Sequence, residues 1–352
     1  MSSPHLYPAA PLAARIAALP KAELHLHLEG AIEPSTVAEL AARHGDSISA
    51  AEVAARYATR DFSAFIEAYK WVTSYLRDPQ DYALVARETA ERLLAQNVLY
   101  AEITLSVGVM LFRQQDVTAN FRAIREAVRH FEPRGLRLQW IFDCVRQFGP
   151  GPAMQAARIA VELREEGVIA FGIGGDELAV PAAEFRSVFD FAAAGGLRRL
   201  AHAGETGGPE SVRDALELLG AERIGHGIAV SRDPALADLM RERSIPLEIC
   251  PTSNLRTGAL ALQIGRPSTT LSDHPLPDLL RSGLPLSIST DDPAMFDTDL
   301  QREYLALLDM GLTPQELVRV AAAGFEGAFL PLADKAAYLD TFHSRAAALG
   351  LL

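Results

Sequence analysis

The stretch AELHLHLEG, residues 22–30, alternates with a period of two, which predicts a β-strand. On such a strand His25 and His27 project to one side, while Leu24, Leu26 and Leu28 turn the other way and need a cover of helices. The rest of the chain supplies one. Apolar strand-like runs recur, each followed by a segment of helical periodicity, the pattern of parallel strand–helix units. Runs at 22–28, 98–105, 137–144, 168–173, 198–202, 223–225, 246–249 and 285–289 make eight, the number that closes a (β/α)8 (TIM) barrel. Surplus length after the first strand and after the eighth predicts extra helices in both places. No linker composition divides the chain, so 1–352 reads as one domain.

Composition narrows the function classes. Of 352 residues, 49% are hydrophobic and 22% charged, the balance of a folded enzyme-sized protein. A net charge of −12, with no basic run longer than LRR at 197–199, argues against a grip on nucleic acid backbone. Two cysteines are too few for a disulfide framework and suit a reducing compartment. The opening 1–20 is interrupted by Pro4, Pro8, Pro11 and Pro20 and lacks a charged leader, so it reads as a short lead-in. With no run long enough to span a bilayer, the expectation is a cytoplasmic protein with neither membrane nor nucleic-acid partner.

The unusual polar residues fall at the C-terminal ends of predicted strands: His25 and His27 on the first, AHAGET (201–206) on the fifth, GHGI (225–228) on the sixth and STDDPAMF (289–296) on the eighth. In a parallel barrel these ends share one face. A lone His-x-His pair is weak evidence and by itself reads as structural imidazoles before metal ligands. Adding His202 and Asp291 makes a set of imidazoles and carboxylate suited to one Zn2+ per chain, with a position open for water. Glu205, three residues after His202, is placed as a general acid/base or as a first-turn helix carboxylate. His226, between glycines, either contacts the bound hydroxide or is a turn histidine. Asp291 and Asp292 point apart on an extended chain, so one would ligate the metal and the other would bond a substrate atom carrying a proton; a helix N-cap before Pro293 is the alternative.

The motifs PKAELHLHLEGAI, GGDE (174–177), HAGE, RIGHGI, CPTSN (250–254) and STDDPAMF, in this order, resemble those of the adenosine deaminase family of zinc hydrolases. The resemblance implies that His25, His27, His202 and Asp291 bind zinc, Glu205 protonates purine N1 and His226 orients the attacking hydroxide. It also implies that Asp292 bonds N7 and the Gly175 backbone contacts N3. Addition at C6 of a 6-aminopurine and loss of ammonia would give the 6-oxo product. The other zinc deaminase architecture needs a P-C-x-x-C that is absent from this sequence.

The substrate's N9 side is read from departures within that resemblance. Glu29 stands where adenosine deaminases carry an Asp that bonds the ribose 5′-hydroxyl. AEITLSVGVML and FDCVRQFGPG look similar to aminodeoxyfutalosine deaminases, whose substrate bears a carboxyphenyl extension and belongs to an alternative menaquinone pathway. Arg146 would then either pair with that carboxylate or make a structural ion pair. The order of expectation is 6-amino-6-deoxyfutalosine, adenosine, then free adenine, whose deaminases share the HLEG form. A catalytically silent purine-binding protein on the same scaffold is the non-enzymatic alternative. The aromatic insertion at 57–78 places Phe62, Phe65, Tyr69 and Val72 at helical spacing, mainly for core packing, with Phe65, Tyr69 or Trp71 able to touch the extension.

Overall fold

The computed structural model describes residues 10–59 and 61–352. The first part of the predicted lead-in lies outside them, and its remainder contains a helix, Leu12–Ala18. Eight strands pair in sequence order, every neighbouring pair parallel. They are β1 (Lys21–His27), β2 (Val98–Leu105), β3 (Arg137–Val145), β4 (Val168–Gly174), β5 (Arg198–Ala203), β6 (Arg223–His226), β7 (Leu247–Ile249) and β8 (Leu286–Ile288). This is the TIM barrel that the eight apolar runs predict.

The barrel closes where β1 meets the residues just past β8. Leu26 and Asp291 form a bridge, the His27 N–H donates to Asp291 O (2.8 Å), and the Asp291 N–H donates to His25 O (2.9 Å). The Ser289 hydroxyl oxygen accepts from the N–H groups of Leu24 and His25. Strict alternation does not run the length of β1, because its register on β2 is interrupted between Glu23 and Leu26. β4 and β5 pair at only two positions, Ala170–Arg198 and Phe171–Arg199, which leaves their C-terminal ends apart.

Extra helices follow β1 (Pro34–Arg43, Ala50–Tyr57, Phe62–Val72, Pro79–Ala95) and β8 (Leu300–Asp309, Pro314–Gly327, Leu332–Ala348), as expected. Side-chain caps set several of their starts: Ser49 and Asp78 form capping boxes, and Asp61 accepts from Ala64 N. Short helices at Val107–Phe112, Pro251–Arg256 and Ala259–Ile264 are not apparent in the periodicity. No described helix is long and apolar enough to cross a membrane.

Under the site, the barrel interior is polar and paired. Arg223 is wholly buried between the carboxylates of Glu102 and Glu248, and it donates to Gly327 O at 3.0 Å. An unpaired charge there would cost several kcal/mol, of the order of 3–5. Glu248 extends this pairing upward, since its Oε2 lies 2.8 Å from His25 Nδ1.

Candidate active site

The ends of β1 and β5 and the turn after β8 bring His25, His27, His202 and Asp291 together, with one donor atom from each within 4.8 Å of the others. His27 Nε2 lies 3.1 Å from His202 Nε2, and Asp291 Oδ1 lies 3.4 Å from both His25 Nε2 and His27 Nε2. His25 Nε2 is buried and makes no hydrogen bond, as expected of a ring nitrogen kept for an ion. The outward atoms are held: His25 Nδ1 by Glu248, His202 Nδ1 by Ile173 O at 3.1 Å, and Asp291 Oδ2 by the Ser253 hydroxyl at 2.6 Å.

Electrostatics fit the same use. Burial and the neighbouring imidazoles hold His202 well below its ordinary value, and burial takes His27 down to about 4, so both are neutral. Burial alone would lower His25 too, but the Asp291 and Glu248 carboxylates outweigh it and push it up to about 10. The two carboxylates that draw a proton onto His25 would draw a cation in its place, with the proton on Nε2 released as the ion binds. Three imidazoles and a carboxylate suit zinc among such ions. A second grouping, His44, Asp78 and Asp81, is of another kind. The Asp81 carboxylate is engaged by Arg43, His44 and the N–H groups of Arg77 and Asp78, as a helix cap.

A cavity of about 240 Å³ opens over the metal-binding group. At its inner end sit Glu205, His226 and Asp292. Burial, then the nearby Asp291 and Glu177 carboxylates, keep Glu205 well above its ordinary value, in the protonated form an acid needs. Its position is set by Glu177 of the GGDE motif, whose carboxylate accepts from Gly204 N, Glu205 N, Thr206 N and the Ser211 hydroxyl at 2.6–2.8 Å. His226 Nε2 lies 3.7 Å from Glu205 Oε2. Both His226 (φ 61°) and Asp291 (φ 65°) occupy the left-handed region, which costs a non-glycine residue conformational energy. Asp292 Oδ1 is buried without a partner, and Gly30 makes room for it, since a Cβ there would lie 1.7 Å from that oxygen.

Farther out the remaining expectations separate. Gly175 lines the cavity with φ +93°, and a Cβ there would meet the Gln147 side chain at 2.3 Å. Glu29 stands one layer behind the wall: its Oε1 accepts from Ser106 N at 3.0 Å and its Oε2 from the Tyr69 hydroxyl at 3.4 Å. Tyr69 and Ser106 present themselves in its place. Arg146 is not brought to the cavity. The chain leaves β3 in a 3-10 turn starting at Arg146, and its guanidinium is buried facing Val180 O at 3.4 Å, so it is a packed residue rather than a mouth cation. From the insertion, Phe62, Phe65, Ile66, Tyr69 and Lys70 line the cavity, while Trp71 packs on Tyr75 and Arg56.

Asp143 escaped the sequence reading. Its buried carboxyl lines the cavity, raised well above its ordinary value by burial and then by Glu29, with no hydrogen bond acting on it. Its partner on β4 is Gly172, and a Cβ on Gly174 would come within 2.8 Å of Asp143 Oδ2, so two glycines clear its path. The signal was a carboxylate inside the apolar run WIFDCV.

An eight-stranded barrel with imidazoles and a carboxylate converging at the strand ends, beside a buried acid, defines a metal-dependent hydrolase. The family described as adenosine deaminase matches residues 20–344, and the chain belongs to it. It is 43% identical over 337 residues to an aminodeoxyfutalosine deaminase of Streptomyces avermitilis, covering 93% of this chain and 92% of that one. It is 37% identical over 318 residues to an adenine deaminase of Streptomyces coelicolor, covering 89% and 91%. An amidohydrolase of Burkholderia ambifaria, solved with bound zinc, superposes with a TM-score of 0.86 at 26% identity, covering 99% of this chain and 96% of that one. The chain is thus an aminohydrolase acting on purine amino groups.

Proposed function

We propose that this chain is a single-domain, zinc-dependent hydrolytic deaminase of 6-aminopurine nucleosides whose preferred substrate is 6-amino-6-deoxyfutalosine. The observation that carries the preference is the outer half of the cavity. Phe62, Phe65, Ile66, Val109 and Phe148 line it, and Phe148 is stacked on the exposed Phe112 with ring centroids 5.0 Å apart. An aryl extension is covered by such walls, whereas free adenine leaves them bare. Lys70 is the cation on that lining; its pairing with exposed Glu67 is an i,i+3 contact of little worth, so it is open to a substrate carboxylate. The 43% identity to an aminodeoxyfutalosine deaminase supports the same choice.

His25, His27, His202 and Asp291 would hold the ion, which when bound would supply a water of lowered pKa and stabilise developing negative charge. Glu205 delivers its proton to N1 as C6 is attacked. Asp292 meets N7, and the Gly175 backbone meets N3. His226 points an N–H at the attacking oxygen. Asp143, Ser106 and Tyr69 then face the sugar, which makes adenosine the second reading.

The test is ammonia release from 6-amino-6-deoxyfutalosine, adenosine and adenine in parallel. A kcat/KM at least about 100-fold higher for the first, roughly 2.7 kcal/mol of discrimination, is the expected result. Equal or better turnover of adenosine overturns the preference and leaves a purine-salvage enzyme.

A further inference from the structure

The CPTSN motif places Asn254 in the helix Pro251–Arg256, with its side chain buried between two histidines that no local spacing connects to it. His226 Nδ1 lies 3.1 Å from Asn254 Nδ2, and His274 Nε2 lies 3.3 Å from Asn254 Oδ1. The far end of the row is a backbone group: Leu276 N–H donates to His274 Nδ1 at 3.0 Å. All three side chains are buried, so every proton in the row needs a place within it.

The direction of each bond follows from that end. A peptide N–H only donates, so His274 Nδ1 accepts and carries no proton. A neutral imidazole has one N–H, so His274 must carry it on Nε2 and donate to Asn254. The oxygen of the Asn254 amide therefore faces His274, and its NH2 faces His226. His226 Nδ1 then accepts, and its single proton sits on Nε2, the atom directed into the cavity. Burial lowers His274 to about 3 and His226 to about 4, in keeping with two neutral rings.

We propose that Leu276 N–H, His274 and Asn254 form a fixed-polarity hydrogen-bond relay that locks His226 as the Nε2–H tautomer, a donor towards the reacting centre. His274 and Asn254 are positioning residues, acting only through His226. What this does for catalysis rests on the role given to His226 above; the tautomer does not.

The experiment is 15N NMR of histidine-labelled, zinc-loaded protein, with kinetics of Asn254→Asp. In the wild type, both His226 and His274 should show a protonated Nε2 and an unprotonated Nδ1; an Nδ1–H signal on either ring overturns the relay without any variant. Asn254→Asp puts an acceptor where the amide NH2 was, so His226 should switch to Nδ1–H and kcat should fall at least tenfold with KM little changed. An unswitched tautomer in folded Asn254→Asp also overturns the relay. A switched tautomer with unchanged kcat upholds the relay and overturns the part given to His226. Asn254→Ser, smaller and uncharged, covers the case in which a buried aspartate prevents folding: it should leave His226 a mixture of tautomers, and a pure Nε2–H ring there counts against the relay.

Discussion

Replacing Glu248 by glutamine should loosen the metal and the barrel together. The carboxylate is fully buried, with one oxygen against Arg223 and the other 2.8 Å from His25 Nδ1. A glutamine of the same shape offers one acceptor to two donors, so its NH2 must face either the guanidinium or the imidazole N–H. One buried donor is left unmet, at about 1–3 kcal/mol, and Arg223 keeps only Glu102 as counter-charge, so the total loss of stability should be about 3 kcal/mol. His25 also loses the group that fixes its ring. Loss of such an outer partner lowers metal affinity about 10- to 100-fold, or about 1.4–2.7 kcal/mol. Chelator competition on Glu248→Gln measures the second figure, and urea unfolding of the metal-free protein measures the first. Zinc affinity within about twofold of wild type, with an unmoved unfolding midpoint, refutes the reasoning.

Two more substitutions probe the outer shell. Arg146→Ala should lower the unfolding midpoint and leave the ratio of kcat/KM between 6-amino-6-deoxyfutalosine and adenosine unchanged, since the guanidinium is packed away from the cavity; a selective loss on the carboxylate-bearing nucleoside would return it to the mouth. Glu177 is held below its ordinary value: burial alone would raise it, but the Ser211 hydroxyl and the N–H groups of Gly207, Thr206 and Gly204 outweigh that. A lowered carboxylate stabilises the fold fully above its unfolded value and ceases to do so as pH falls through its folded value. The stability gap between wild type and Glu177→Gln should therefore be level from about pH 6 to 8 and shrink below about pH 4.5. Denaturant midpoints across that range check it, and a gap that widens in acid contradicts it.

The barrel was legible because eight apolar runs and their helical followers repeat a local pattern, and the metal-binding group because each of its members sits at the end of such a run. What escaped depends on contacts between distant residues. The broken register of β1 leaves no mark in HLHLEG. Asp143 looked like one polar residue in a strand until the glycines of β4 showed where it had room to lie. Arg146 was misplaced because a position one residue past a strand does not say which way the chain will turn. Asn254 and His274 lie on separate elements, and only their hydrogen bonds to each other and to His226 join them.

The seam of the barrel sets an order of events for a chain emerging from the ribosome. Synthesis through β7 yields all three metal-binding imidazoles but neither Asp291 nor the peptide that joins β1, whose His25 N–H waits for a hydroxyl 264 residues downstream. Contacts of such separation form late in folding. The nascent protein thus passes most of its synthesis as an open sheet with β1 and the newest strand at its two edges, and a chain ending before β8 would keep both exposed to other strands. Competence to load the ion and resistance to aggregation should arrive in the same final step.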